Sequence, residues 1–237
     1  MPAWPDNRSP RSARNGTIAR MITDHWPQYG LRLRTPRLEL RLPGLDDLAQ
    51  LADLAAAGVH DPAVMPFVVP WTDGTPAERA RSTLQWHWKL LSSWTPEKWS
   101  LPLVAVADGQ VVGTQEMGGR DFAVARQVET GSWLGLAHHG KGYGTEMRAA
   151  ILALAFEGLE AWFAATEAFA HNEASWRVSA KLGYTDNGTE RHVVRGEPVV
   201  GRRMLLTREN WAAARTIDTE ITGLEPCLPQ FGLQDTA

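Results

Sequence analysis

The stretch from Trp133 to Glu146, WLGLAHHGKGYGTE, constrains this chain more than any other. A segment with strand-like alternation runs directly into glycines at positions 140, 142 and 144, and these run into an alanine-rich helical segment, Thr145–Glu157. Glycine admits positive φ and close backbone approach. Successive N–H groups at a helix start then converge on one point in front of it. A plain strand-to-helix turn needs one glycine, whereas three alternating ones describe a cradle for a phosphate or pyrophosphate.

The segments around the cradle predict an α/β fold. Leu31–Leu42 alternates apolar and basic residues as a strand interrupted by Pro36, and Gly44–Ala57 puts Leu45, Leu48, Leu51 and Leu54 on one helical stripe. His60–Trp71, HDPAVMPFVVPW, holds three prolines and predicts an irregular apolar cover. Pro76–Trp94 follows as a helix with proline in its first turn. Leu101–Ala107, Gln110–Gly118 and Gln127–Leu136 predict strands, with Asp108-Gly109 as a hairpin turn. Beyond the cradle come a strand (Ala161–Ala170), a helix capped by Asn172 and stopped by Gly183, two strands (Tyr184–Arg195, Val199–Leu206), a helix (Asn210–Arg215) and an irregular end. The expected architecture is a mixed, mostly antiparallel central sheet flanked by helices. Residues 1–20, rich in Arg, Pro and Ser, predict a disordered tail or an extension from an upstream start codon, with 21–237 as a single domain.

Composition narrows the partners. A formal net charge of -3 without a basic face argues against nucleic acid, and no apolar run approaches the roughly 18 residues of a membrane span. Cys227 is the single cysteine, which fits a reducing cytoplasm and leaves no disulfide. His138 and His139 point in different directions without a third ligand, so no metal is expected. Eleven tryptophans, with Trp86, Trp88, Trp94 and Trp99 close together, serve either core packing or the wall of an acceptor pocket or dimer contact.

Three anion cradles compete for the glycines. Gly135–Lys141 imitates a nucleotide P-loop, but Gly142 stands where that motif needs a hydroxyl for Mg²⁺. The Gly-x-Gly-x-Gly spacing also departs from the dinucleotide fingerprint. His139-Gly140-Lys141-Gly142-Tyr143-Gly144 resembles the pyrophosphate loop of the GNAT acyltransferases, Gln/Arg-x-x-Gly-x-Gly/Ala, with His139 replacing the usual Gln or Arg. Thr145 and Glu146 extend the match to the GKGYGTE form of the branch that acetylates ribosomal-protein N-termini. His171-Asn172-Glu173-Ala174-Ser175 and Lys181-Leu182-Gly183-Tyr184 are similar to that branch's N-x-x-S … LGF/Y segment, and the likeness runs from Leu31 to Trp211. HDPAVMPFVVPW, WSLPL, RQVETGSWLGL and GYGTEMRAA further resemble mycobacterial GNAT proteins described as succinyltransferases.

The resemblance implies a GNAT fold, an acyl-CoA co-substrate (acetyl-CoA or succinyl-CoA) and an amine acceptor, either a small molecule or a protein N-terminus. It also implies a homodimer. Residues His139 to Thr145 would hold the pyrophosphate. Trp133, Leu134, Gly135 and Leu136 would bind the thioester carbonyl and pantetheine amides through backbone N–H groups, with Asn172 on the pantetheine arm. Glu129 matches the acidic residue of the branch's E-x-G-x-W-L segment and is the expected general base, with Glu116 as the alternative. Ser175 would protonate the leaving thiolate, ahead of Tyr184. His60, Phe67 and Trp71 are the expected acceptor contacts. A succinyl carboxylate would want a basic partner, for which Arg120, Arg126 and Arg148 are available. The rival expectation is a module that binds acyl-CoA as a sensor or scaffold without chemistry.

Overall fold

In the computed structural model, which describes residues 22–233, the interruption at Pro36 is a hairpin. The expectations for residues 1–20 lie outside the described residues. Strand β1 (Arg32–Arg34) pairs antiparallel with β2 (Glu39–Arg41), setting the fully buried Leu33 opposite the fully buried Leu40. Helix α1 (Leu45–Ala57) buries Leu48, Leu51, Ala52 and Ala55, but Leu45, expected on the same stripe, is 79% exposed in the first turn. Helix α2 (Pro76–Ser92) opens on a reciprocal cap. The Thr75 hydroxyl accepts from the Glu78 N–H, and the Glu78 carboxylate accepts from the Thr75 N–H.

β3 (Lys98–Ala107) and β4 (Gln110–Arg120) join through Asp108 and Gly109, both at positive φ as a tight hairpin requires. A short helix, α3 (Phe122–Ala125), leads into β5 (Gln127–Leu134). After the glycine turn come α4 (Tyr143–Ala153) with a π turn over Leu154–Gly158, then β6 (Phe163–Phe169), α5 (Glu173–Lys181), β7 (Thr185–Val194), β8 (Glu197–Thr207) and α6 (Arg208–Ala214). The C-terminal segment is more regular than expected. β9 (Glu220–Thr222) adds to the free edge of β1, and a 3-10 helix covers Glu225–Phe231. A three-residue strand is too short to leave a periodic signal.

The strands form a single sheet in the order β7-β8-β6-β5-β4-β3-β2-β1-β9, and every neighbouring pair is antiparallel except β5–β6. The two faces of β3 show how the layers sit. Leu101, Leu103 and Ala105 belong to the core that includes α4, whereas Val104 and Val106 pack with Leu51 of α1. The α4 residues Met147–Ala153 are all buried, and their short alanines let that helix lie close to the sheet.

At the far end of the core, Trp99 lies 5.8 Å from Trp94, 4.8 Å from Phe231 and 5.6 Å from Phe122, ring centre to ring centre. Gly119 of β4 permits this packing, because a Cβ there would sit 2.5 Å from the Trp99 ring.

Candidate functional site

The parallel β5–β6 contact is short. Gln127, Val128 and Glu129 pair with Phe163, Ala164 and Ala165, and beyond them the strands separate. Thr166 bridges the start of the gap by donating from Oγ1 to the Thr130 carbonyl at 3.0 Å. Backbone groups alternate sides along a strand. The groups of Ser132 and Leu134 therefore face the gap, like those of Thr130, while Gly131 faces β4 and accepts from Gln115 Nε2 at 2.9 Å. The open backbone edge leads along β5 from a cavity at one end to the glycine turn at the other.

At the turn, Gly140 and Gly142 adopt positive φ (73° and 83°), and Gly142 is the N-cap of α4. A Cβ at Gly140 would meet nothing within 4 Å, so the outer face of the turn is open to a ligand. The Glu146 N–H already donates to the Gly142 carbonyl, leaving the N–H groups of Tyr143, Gly144 and Thr145 as the unsatisfied helix start. His139 folds back, with Nε2 3.1 Å from the Leu134 carbonyl, and Lys141 is exposed. Not every predicted donor is available. The Gly135 N–H donates to Val112 and the Leu136 N–H to Gly58, so these two groups serve the fold and not a ligand.

Two residues, Arg37 and Glu146, brace the glycine turn through contacts the sequence did not reveal. Glu146, 3% exposed, accepts from the Thr35 hydroxyl at 2.7 Å and the Arg37 N–H at 2.9 Å, and forms an ion pair with the Arg37 guanidinium at 2.5 Å. Arg37 also donates to the Lys141 carbonyl at 3.0 Å and lies over the Tyr143 ring at 5.0 Å. A guanidinium therefore stands beside the turn, its charge paired with Glu146. Glu146 reads in sequence as a helix-dipole partner, whereas its carboxylate is committed to the β1–β2 hairpin.

The cavity at the other end has a volume of about 460 Å³. Phe67 and Trp71 from the proline-rich connection line it together with Trp133 of β5 and Trp86 of α2. His60 stands behind this wall, 5.6 Å from the Phe67 ring, with Nε2 2.7 Å from the Thr72 hydroxyl. Asn172 and Ser175 reach the cavity from the start of α5, where Asn172 Oδ1 accepts from the Ser175 N–H as an N-cap. His171 ties the connection down through a 3.0 Å contact to the Met65 carbonyl.

Of the two candidate bases, Glu116 lines the cavity and Glu129 does not. Glu129 is exposed, on the same strand face as Gly131 and Trp133 but at the closed end of the gap. Burial pushes the Glu116 carboxyl above the usual range, partly offset by hydrogen bonds from Trp86 Nε1, at 3.2 Å, and from Ser100. His87 was missed in the sequence. Its Nδ1 donates to the Thr83 carbonyl at 3.0 Å, burial lowers its pKa and so favours the neutral ring, and Nε2 faces Thr114 at 3.5 Å. Glu167 also lines the cavity, bound to His192. Neither His87 nor Glu167 sits in a local motif, so only the tertiary fold shows that they belong to the site.

Residues 37–185 match the acetyltransferase (GNAT) domain family. Among solved structures, Mycobacterium smegmatis RimJ in complex with CoA-disulfide is 19% identical, covering 81% of this chain and 98% of its own with a TM-score of 0.63. A GCN5-related N-acetyltransferase from Brucella melitensis is 20% identical, covering 77% and 81% with a TM-score of 0.62. RimL, a ribosomal L7/L12 alpha-N-protein acetyltransferase in complex with coenzyme A, is 13% identical, covering 73% and 95% with a TM-score of 0.59. These likenesses establish a common fold. With the glycine turn, the opened β5–β6 pair and a family match over most of its length, the chain belongs to the GNAT acetyltransferases.

Proposed function

We propose that the chain moves an acyl group, acetyl or succinyl, from acyl-CoA to a primary amine by direct attack in a ternary complex. The observation that carries this reading is the path from the glycine turn, along the β5 edge that β6 leaves uncovered at Ser132, into the cavity lined by Glu116. In this reading the N–H groups from Gly140 to Thr145 hold the donor's pyrophosphate, with the Arg37 charge beside them. The pantetheine arm lies along β5 near Asn172, and a β5 N–H stabilises the oxyanion formed at the thioester carbonyl.

The base role goes to Glu116 in place of Glu129, because a proton acceptor must reach the substrate. The amine attacks the thioester carbon, Glu116 takes its proton, and Ser175 relays a proton to the departing thiolate while regaining one from solvent. The acceptor, a small amine or a protein N-terminus, enters beside Phe67, Trp71 and Trp86. A cytoplasmic homodimer is the assembly we propose, and no helix among the described residues is long and apolar enough to cross a membrane.

Incubation with acyl-CoA and an amine panel, followed by free-thiol release, tests the reaction. Acyl-CoA binding with no turnover on any amine would leave a sensor or scaffold. Glu116→Gln should lower kcat by roughly 10²- to 10⁴-fold while donor Kd stays nearly constant. Unchanged turnover would remove Glu116 as the base.

A further inference from the structure

The β5–β6 gap also opens the cavity toward α4, and a guanidinium without a counter-ion lies there. Arg148 lines the cavity but is only 4% exposed. Its Nη1 donates to Ser179 Oγ and its Nη2 to Ser132 Oγ, each at 3.2 Å, and the Tyr184 hydroxyl is a third neighbour. The Nε–H has no acceptor. A guanidinium carries five N–H donors, so three neutral oxygens leave it short of partners and of charge.

No carboxylate pairs with Arg148 among the described residues. Of the two that line the cavity, Glu116 accepts from Trp86 and Glu167 is bound to His192. Burying an unpaired cation is costly, and a neutral side chain would pack the same site without that cost. The surroundings are polar as well, with Thr130, Ser132 and Thr166 lining the same part of the cavity. An acyl group ending in a methyl would leave the Arg148 charge and its Nε–H without a partner.

We propose that Arg148 binds a terminal carboxylate on the donor's acyl group, so that the preferred donor is the CoA thioester of a short dicarboxylic acid of the succinyl class. This rests on the acyl-CoA path proposed above. The donor is favoured over the acceptor as the source of the carboxylate for a positional reason. Arg148 projects from the helix that begins at the cradle and bonds Ser132, whose backbone faces the gap, whereas the aromatic wall stands on the opposite face of the sheet. Burial lowers the Arg148 pKa, and an arriving carboxylate would reverse that effect.

Calorimetric titration of the full chain without acceptor tests this, using succinyl-CoA and butyryl-CoA, which share a four-carbon acyl chain and differ in its end. Succinyl-CoA should bind roughly tenfold or more tightly, the effect of one charge-assisted bidentate contact. Arg148→Met should bring succinyl-CoA to the butyryl-CoA level while leaving free CoA affinity within about twofold. Equal binding of the two thioesters by the unaltered chain overturns the proposal, and this comparison needs no variant to fold. If free CoA and butyryl-CoA bind without a succinyl preference, the carboxylate site alone fails. If no CoA species binds, the acyl-CoA path fails and the proposal falls with it.

Discussion

Two groups of tryptophans use the same side chain in opposite ways. Trp94 and Trp99 are covered on all sides by β3, β4, α3 and the C-terminal 3-10 helix, and Trp94 Nε1 donates to the Gln230 carbonyl at 2.8 Å. Trp71 and Trp133 instead extend a series that begins with His60 and Phe67, with ring centres 5.4–5.6 Å apart, and leave part of their surface to the cavity. Trp86 aims its N–H at Glu116. What separates core from wall is therefore whether the ring meets protein on both faces. Neither composition nor spacing along the chain contains that information.

The comparison is open to experiment. Trp99→Ala should cost about 3–5 kcal/mol in chemical denaturation, since the ring fills a core position that nothing else reaches. A loss below about 1 kcal/mol would mean that the cluster is not a core. Gly142→Ala forces a Cβ onto a left-handed φ and brings it 3.2 Å from Arg37, so acyl-CoA affinity should fall about tenfold through a strain of roughly 1–2 kcal/mol. Trp71→Ala should raise acceptor KM several-fold with stability changed by no more than about 1 kcal/mol. Stability loss matching that of Trp99→Ala would erase the distinction between the groups.

The smallest change, Trp86→Phe, keeps a ring but removes the N–H that holds the Glu116 pKa down. In the proposed role Glu116 must be ionised to accept a proton, and burial already raises its pKa. Activity should therefore fall as pH drops through a range above that of ordinary carboxylates, and Trp86→Phe should move this acid limb of kcat/KM higher still. An unmoved limb would show that another group sets it.

The glycine turn was legible because its parts are contiguous. Three glycines, the preceding strand and the following helix fall within Trp133–Glu157, and their purpose lies in backbone conformation that residue type alone dictates. The cavity end was less legible. Glu129 and Glu116 lie on adjacent strands, and only the site where β5 and β6 part decides which of them meets the cavity. Arg148 was one of three equivalent arginines until Ser132, Ser179 and Tyr184 closed around it. The N–H groups of Gly135 and Leu136 looked free because their acceptors, Val112 and Gly58, lie on other segments. Phe67 and Trp71, from the apolar, proline-rich segment, line the cavity, while their neighbour His60 backs the wall.

The Glu146 carboxylate joins the helix behind the cradle to Thr35 and Arg37, contacts that span 111 and 109 residues of chain. Closing so long a loop loses entropy before the contact is gained, which places the brace among the slower contacts to form. A nascent chain would carry the whole glycine motif before this brace holds it in place. If the turn holds CoA as proposed, its capture is tied to completion of the fold, and saturating CoA should protect amides of the β1–β2 hairpin from hydrogen exchange as well as those of the turn itself.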